Sequence, residues 1–182
     1  RKHRIPCDAI YLDIDYMDGY RVFTCDRGRF PNLSGLVGDL ASEGFRTMAI
    51  IDPGVKVDPG YHVCAEGLAQ DMFVKLPSGK LYSGPVWPGE CYFADFASAR
   101  VRSWWGGLYR PLLEAGVAGF WNDMNEPAVF PATTFPDAVQ HSADAGPTDH
   151  RALHNVYGQL MAEASAEGLK STRPNDRPFL IS

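Results

Sequence analysis

Four short apolar runs punctuate this sequence: DAIYLDI at 8–14, RTMAIID at 46–52, VAGFWND at 117–123 and RPFLIS at 177–182. Each is too short for a typical helix and is apolar on both faces, as a strand covered from two sides must be. Segments with helical spacing separate them. Leu33, Leu36, Val37, Leu40 and Ala41 form one stripe that closes at Gly44. Val101, Trp104, Trp105, Leu108, Tyr109, Leu112 and Leu113 form a second within 95–115, ended by Gly116. Leu153, Val156, Tyr157, Leu160, Met161 and Ala164 form a third, with Gly168 read as its stop. The order is β-α-β-α-β-α-β, which predicts an α/β fold with a parallel sheet covered by helices.

Two architectures satisfy that order, an open doubly wound sheet and a (β/α)8 barrel. No GxGxxG or GxxxxGK[ST] follows any of the runs, which lowers the nucleotide-binding readings. Acidic residues gather where the runs end: Asp13, Asp15 and Asp18 after the first, Asp52 after the second, Asp123 and Glu126 after the third. Active sites assemble at the carboxyl ends of barrel strands, so the barrel is favoured. A whole barrel takes ~250 residues. The 182 residues are therefore expected to form one partial TIM-barrel catalytic domain, 1–182, of about four βα units and truncated at both ends. DMFVKLPSGKLYSGPVW at 71–87 is expected to insert a hairpin that turns at Pro77–Lys80. Half a barrel exposes sheet edges and helix faces, so alone it is expected to be unstable or to associate.

Composition narrows the partners. Lys plus Arg number 17 against 22 Asp plus Glu, a net charge of −5 without charge blocks. That argues against nucleic acid and anionic membrane, which call for basic patches. No apolar run has the length needed to cross a bilayer. Cys7, Cys25, Cys64 and Cys91 form no CxxC pair and are read as free thiols in or near a core. The compartment stays open, with the cytoplasm favoured over secretion, and so does assembly of the parent protein into a homo-oligomer.

Strand-end carboxylates can bind a hard cation, exchange protons or attack carbon. DIDYMDG at 13–19 fails the EF-hand pattern, because its third acid sits at the sixth position with bulky Tyr16 and Met17 between. Capping or pairing with arginine suits Asp15 and Asp18 as well as function does. HRALH at 150–154 lacks the glutamate a zincin needs after its first histidine, so surface or loop packing is the better reading. Trp87, beside Pro88 and Gly89, suits a core and a sugar platform equally. Asp123 follows an apolar strand with an indole beside it, and a carboxylate there costs several kcal/mol unless bonded or used.

GFWNDMNEP at 119–127 resembles the nucleophile signature of glycoside hydrolase family 31, the α-glucosidase family. YLDIDYMDGYRVFTCD at 11–26 resembles the family's sugar-contacting strand, and MAIIDPGV, GPVWPGE and HNVYGQLMAEASAEGL match it in order. The resemblance implies that Asp123 is the catalytic nucleophile and that Glu126 braces it. It implies that Asp13 bonds a hydroxyl of the non-reducing-end glucose, and that Ile50, Trp87, Trp121 and Met124 wall that subsite. Asn122 stands at a position that varies within the family and receives no role.

The chemistry implied is a retaining double displacement on a carbohydrate substrate, with no metal or organic cofactor. The family's general acid/base lies on a later strand, beyond RPFLIS, so the isolated chain is expected not to turn over substrate. Family α-xylosidases carry a Lys-Thr-Asp-Phe-Gly-Glu type of segment instead, and lyase relatives lose the glutamate matching Glu126. The segment here favours α-glucosides. Two rivals remain: a non-catalytic carbohydrate-binding or scaffolding relative, and a metal-dependent hydrolase using Asp13, Asp52 and Asp123.

Overall fold

The computed structural model describes residues 2, 3 and 5–182. In chain order the elements are β1 (Ala9–Leu12), α1 (Leu33–Ser42), β2 (Arg46–Ile51), β3 (Gly54–Lys56), α2 (His62–Ala69), β4 (Ser83–Val86) and β5 (Gly89–Phe93). Then follow α3 (Ala99–Gly107), α4 (Arg110–Glu114), β6 (Gly119–Asn122), β7 (Gln140–Ala143), β8 (Gly146–Asp149), α5 (His150–Thr172) and β9 (Leu180–Ile181).

The four apolar runs form one sheet in the order β1-β2-β6-β9, every pair parallel. Each strand joins beside its predecessor on the same side. A doubly wound sheet reverses direction part-way, whereas an arc of a (β/α)8 barrel does not. Pairing of Ala49 with Phe120 and of Ile50 with Trp121 fixes the register. Phe120 turns to the helices, where its ring meets Tyr109 at 4.6 Å. By strand alternation Trp121 and Ile50 face the other way.

The helices differ from the sequence expectation in two places. The stripe over 95–115 breaks at Leu108–Tyr109 into α3 and α4, with Pro111 in the first turn of α4. A proline has no N–H to donate, and its ring crowds the carbonyl four residues back, here that of Gly107. Gly168 does not stop α5, which runs on to Thr172. It packs against Gly106 of α3, and a β-carbon on Gly168 would lie 2.6 Å from the Gly106 Cα. The two helices thus meet backbone to backbone.

The insertion expected after β2 holds more than its hairpin, and a second insertion follows β6. The stretch after β2 carries α2 and the antiparallel sheet β3-β5-β4, in which β4 and β5 form a hairpin around Trp87 and Pro88. The predicted turn at Pro77–Lys80 is present, flanked by a Lys75–Leu81 bridge. The stretch after β6 holds the β7–β8 hairpin. Both pack onto α5 through aromatic contacts: Phe135 to Phe93 at 4.8 Å, Phe135 to Tyr157 at 5.4 Å and Phe96 to Tyr157 at 5.2 Å. All four cysteines are free. Cys64 and Cys91 are buried as expected, whereas Cys7 is exposed.

Candidate active site

β1, β2 and β6 are each followed directly by an aspartate, Asp13, Asp52 and Asp123; the register sets Asp52 level with Asp123 and Asp13 level with Ile50. Asp123 extends the ladder, its N–H donating to the Ile51 carbonyl at 3.4 Å. Its side chain is half-buried. The next residue, Met124, takes φ 58°, a conformation rarely adopted by side chains of its size, and this turns the chain sharply after Asp123. An open cavity of about 550 Å³ lies there, lined by Trp121, Asp123, Asn125, Glu126, His154 and Gln159 among others.

Asn125 fastens the turn. Its Nδ2 donates to the Ser182 hydroxyl at 2.8 Å, at the end of β9, and to the Gly158 carbonyl of α5 at 3.5 Å. Below it Asn122 is buried at the centre of a side-chain triad. Asn122 Nδ2 donates to Tyr109 Oη at 3.0 Å, Ser165 Oγ donates to Asn122 Oδ1 at 2.9 Å, and the two hydroxyls lie 2.7 Å apart. Burial pushes the Tyr109 phenol up to about 12, so it stays neutral.

The residues singled out in the sequence do not all meet in one depression. Asp13 is exposed, accepts from the Ile14 N–H at 2.7 Å and lines a separate hollow with Tyr11, Tyr16, Arg29 and Phe30. Ile50 is buried in β2, and its carbonyl accepts from Tyr16 Oη at 3.1 Å. Trp87 is exposed on the β4–β5 turn and stacks edge-on to Phe130, ring centroids 5.2 Å apart. Glu126 is exposed on the cavity rim. Asp15 pairs with Arg29 at 3.1 Å and Asp18 lies 3.6 Å from Arg21, the structural alternative considered for both.

Asp52 stands between the two hollows, 6% exposed. Burial, followed by the charges of Asp123, Asp13 and Glu126, raises its carboxyl to about 7. Among the described residues no group of three His, Cys, Asp or Glu side chains is placed to hold one metal ion.

HRALH is not a surface pair. His150 is fully buried, its Nδ1 3.2 Å from His141 Nε2 and its Nε2 3.2 Å from the Thr134 hydroxyl. His141 Nδ1 in turn lies 2.9 Å from Asp95 Oδ1. This chain pins the β7–β8 insertion to the first turn of α5. His154, one turn on, lines the Asp123 cavity.

The profile described as "Glycosyl hydrolases family 31 TIM-barrel domain" matches residues 1–182. The chain belongs to glycoside hydrolase family 31. It is 51% identical over 179 residues to alpha-glucosidase 2 of Bacillus thermoamyloliquefaciens, covering 98% of this chain and 23% of that protein. The crystal structure of glucosidase II alpha subunit, bound to alpha3-Glc2, superposes with a TM-score of 0.90 at 33% identity, over 98% of this chain and 20% of that one. The family 31 alpha-glucosidase from Bacteroides thetaiotaomicron gives 0.79 at 46% identity, over 97% and 28%. The chain thus spans between a fifth and a little over a quarter of these three proteins, and the barrel expected from its strand order is the family's own.

Asn125 and Gly158 escaped the sequence reading as site residues, and Asp52 entered it only as a strand-end acid and through the metal-dependent rival. Asp52 carried a signal, since it ends a barrel strand as Asp123 does. The tie from Asn125 to α5 has none, because 33 residues separate Asn125 from Gly158.

Proposed function

We propose that the protein carrying this domain is a retaining α-glucosidase. Asp123 attacks the anomeric carbon of an α-glucoside to form a glycosyl-enzyme, and water then releases the sugar. A second carboxylic acid, outside residues 1–182, protonates the leaving oxygen and activates the water. Two carboxyls flanking the bond at ~5–5.5 Å give this outcome. Asp13 bonds a hydroxyl of the terminal glucose, while Ile50, Trp87, Trp121 and Met124 wall its subsite. Glu126 steadies the turn that presents Asp123.

One observation carries the reading. Asp123 stands half-buried at the carboxyl end of a parallel strand, beside an indole, at an open cavity. An anion there offsets the charge that develops on an oxocarbenium-like sugar, and an aromatic face packs on the ring. Relatives named alpha-glucosidase support the substrate class.

The test is covalent trapping in the full-length protein. A mechanism-based fluoroglucoside should label the 119–127 segment at Asp123, and Asp123→Ala should abolish both labelling and turnover. Label on another carboxylate, or turnover retained in Asp123→Ala, would sink the assignment.

A further inference from the structure

Asp52 is a buried acid for which the mechanism above has no task. Its Oδ1 is shielded from solvent and has no hydrogen-bond partner among the described residues. Continuing the β2–β6 register by one residue beyond Ile51–Asn122 sets it level with Asp123. Among the described residues the charges that act on it are negative: Asp123 and Glu126 from the turn after β6, and Asp13 from the end of β1. Its other titratable neighbours are neutral hydroxyl and thiol groups, Tyr16 beneath β2 and Cys91 of β5, both of which sense its charge. Four carboxyls at one sheet end cannot all ionise cheaply. Desolvation first, and these charges second, favour the neutral acid at Asp52.

We propose that Asp52 is a positioning residue that stands as a neutral carboxylic acid, so that no second negative charge is set beside Asp123. The proposal rests on the nucleophile reading of Asp123. Asp52 makes and breaks no bond to the sugar and acts through the charge on its neighbour. Asparagine copies a neutral acid in shape and charge, which separates this role from that of a fixed anion.

The experiment compares wild type with Asp52→Asn in the full-length protein by two readouts. Difference infrared spectra should show a protonated carboxyl at about pH 6 in wild type that is missing in the variant, and that vanishes in wild type as pH rises. In kcat/KM profiles on an aryl α-glucoside the acid limb should keep its position in the variant. Its maximum should fall less than about tenfold. The absence of that carboxyl band overturns the proposal. So does an acid limb displaced to lower pH, the mark of a negative charge removed, or a loss of about a hundredfold or more. A wild type without glucosidase activity would refute the α-glucosidase reading instead, and the infrared band would still decide whether Asp52 is neutral.

Discussion

Gly158 of α5 lies directly beneath Asn125: a β-carbon on the glycine would stand 2.8 Å from the asparagine's carbonyl oxygen. The turn that carries Asp123 therefore rests on bare helix backbone. Gly158→Ala should lift that turn by a few tenths of an ångström or more while leaving the helix itself, for which alanine is the better residue, intact. Catalytic geometry tolerates such displacement poorly. We expect kcat/KM in the full-length protein to fall by at least about tenfold with the melting temperature little changed. Unchanged kinetics would show that the turn does not depend on this contact.

The Asn122–Tyr109–Ser165 triad joins β6, the α3–α4 break and α5 through three buried side chains. Asn122→Ala leaves two hydroxyls short of a partner, at roughly 1–3 kcal/mol of stability. Thermal unfolding should register the loss. Asn122→Leu removes the same partner but fills the space, so it should recover part of that loss.

His150 is held neutral. Burial, with His141 and His154 nearby, lowers it from 6.5 to about 4. An unfolded chain takes up this proton below about pH 6.5 and the folded one only near pH 4, so the stabilisation is whole above the first value and is lost as pH falls through the second. The melting-temperature advantage of wild type over His150→Gln should therefore shrink steadily between these limits. A constant gap would mean that His150 is already charged.

Asp52 has the opposite dependence. Its carboxyl is raised from 3.8 to about 7 in the folded protein. The stability contributed by its proton is complete below about pH 4 and is lost as pH rises to about 7, on the order of 4 kcal/mol in all. Asp52→Asn has no proton to lose. Its stability relative to wild type should grow across that window and level off above it, as denaturant midpoints at each pH would show.

The barrel arc was legible because its strands announce themselves. RTMAIID and VAGFWND are short, apolar on both faces and closed by an aspartate, and the sheet uses both in the expected order. Of the insertions only the Pro77–Lys80 turn was legible. β3, β4 and β8 have three or four residues each and include Pro85 and Pro147 and the glycines Gly54, Gly84 and Gly146, so neither apolar alternation nor β-propensity marks them. Gly168 misled for a related reason. A glycine that ends a helix and one that admits a neighbouring helix look alike in sequence, and only the pairing with Gly106 tells them apart. At the site, Asp123 stood out by its apolar approach. The separation of Asp13 from the Asp123 cavity did not, because it follows from which strand sits between them.

The sheet β3-β5-β4 and the β7–β8 hairpin share an aromatic cluster of their own, centred on Phe135, Phe93 and Tyr82. The two insertions are thus joined to each other as well as to α5. Substitutions at the exposed Trp87 and Phe130 can therefore reshape the surface around the β4–β5 turn without disturbing the strands that carry the acids. In such an arrangement the rim is free to drift while the sheet stays fixed.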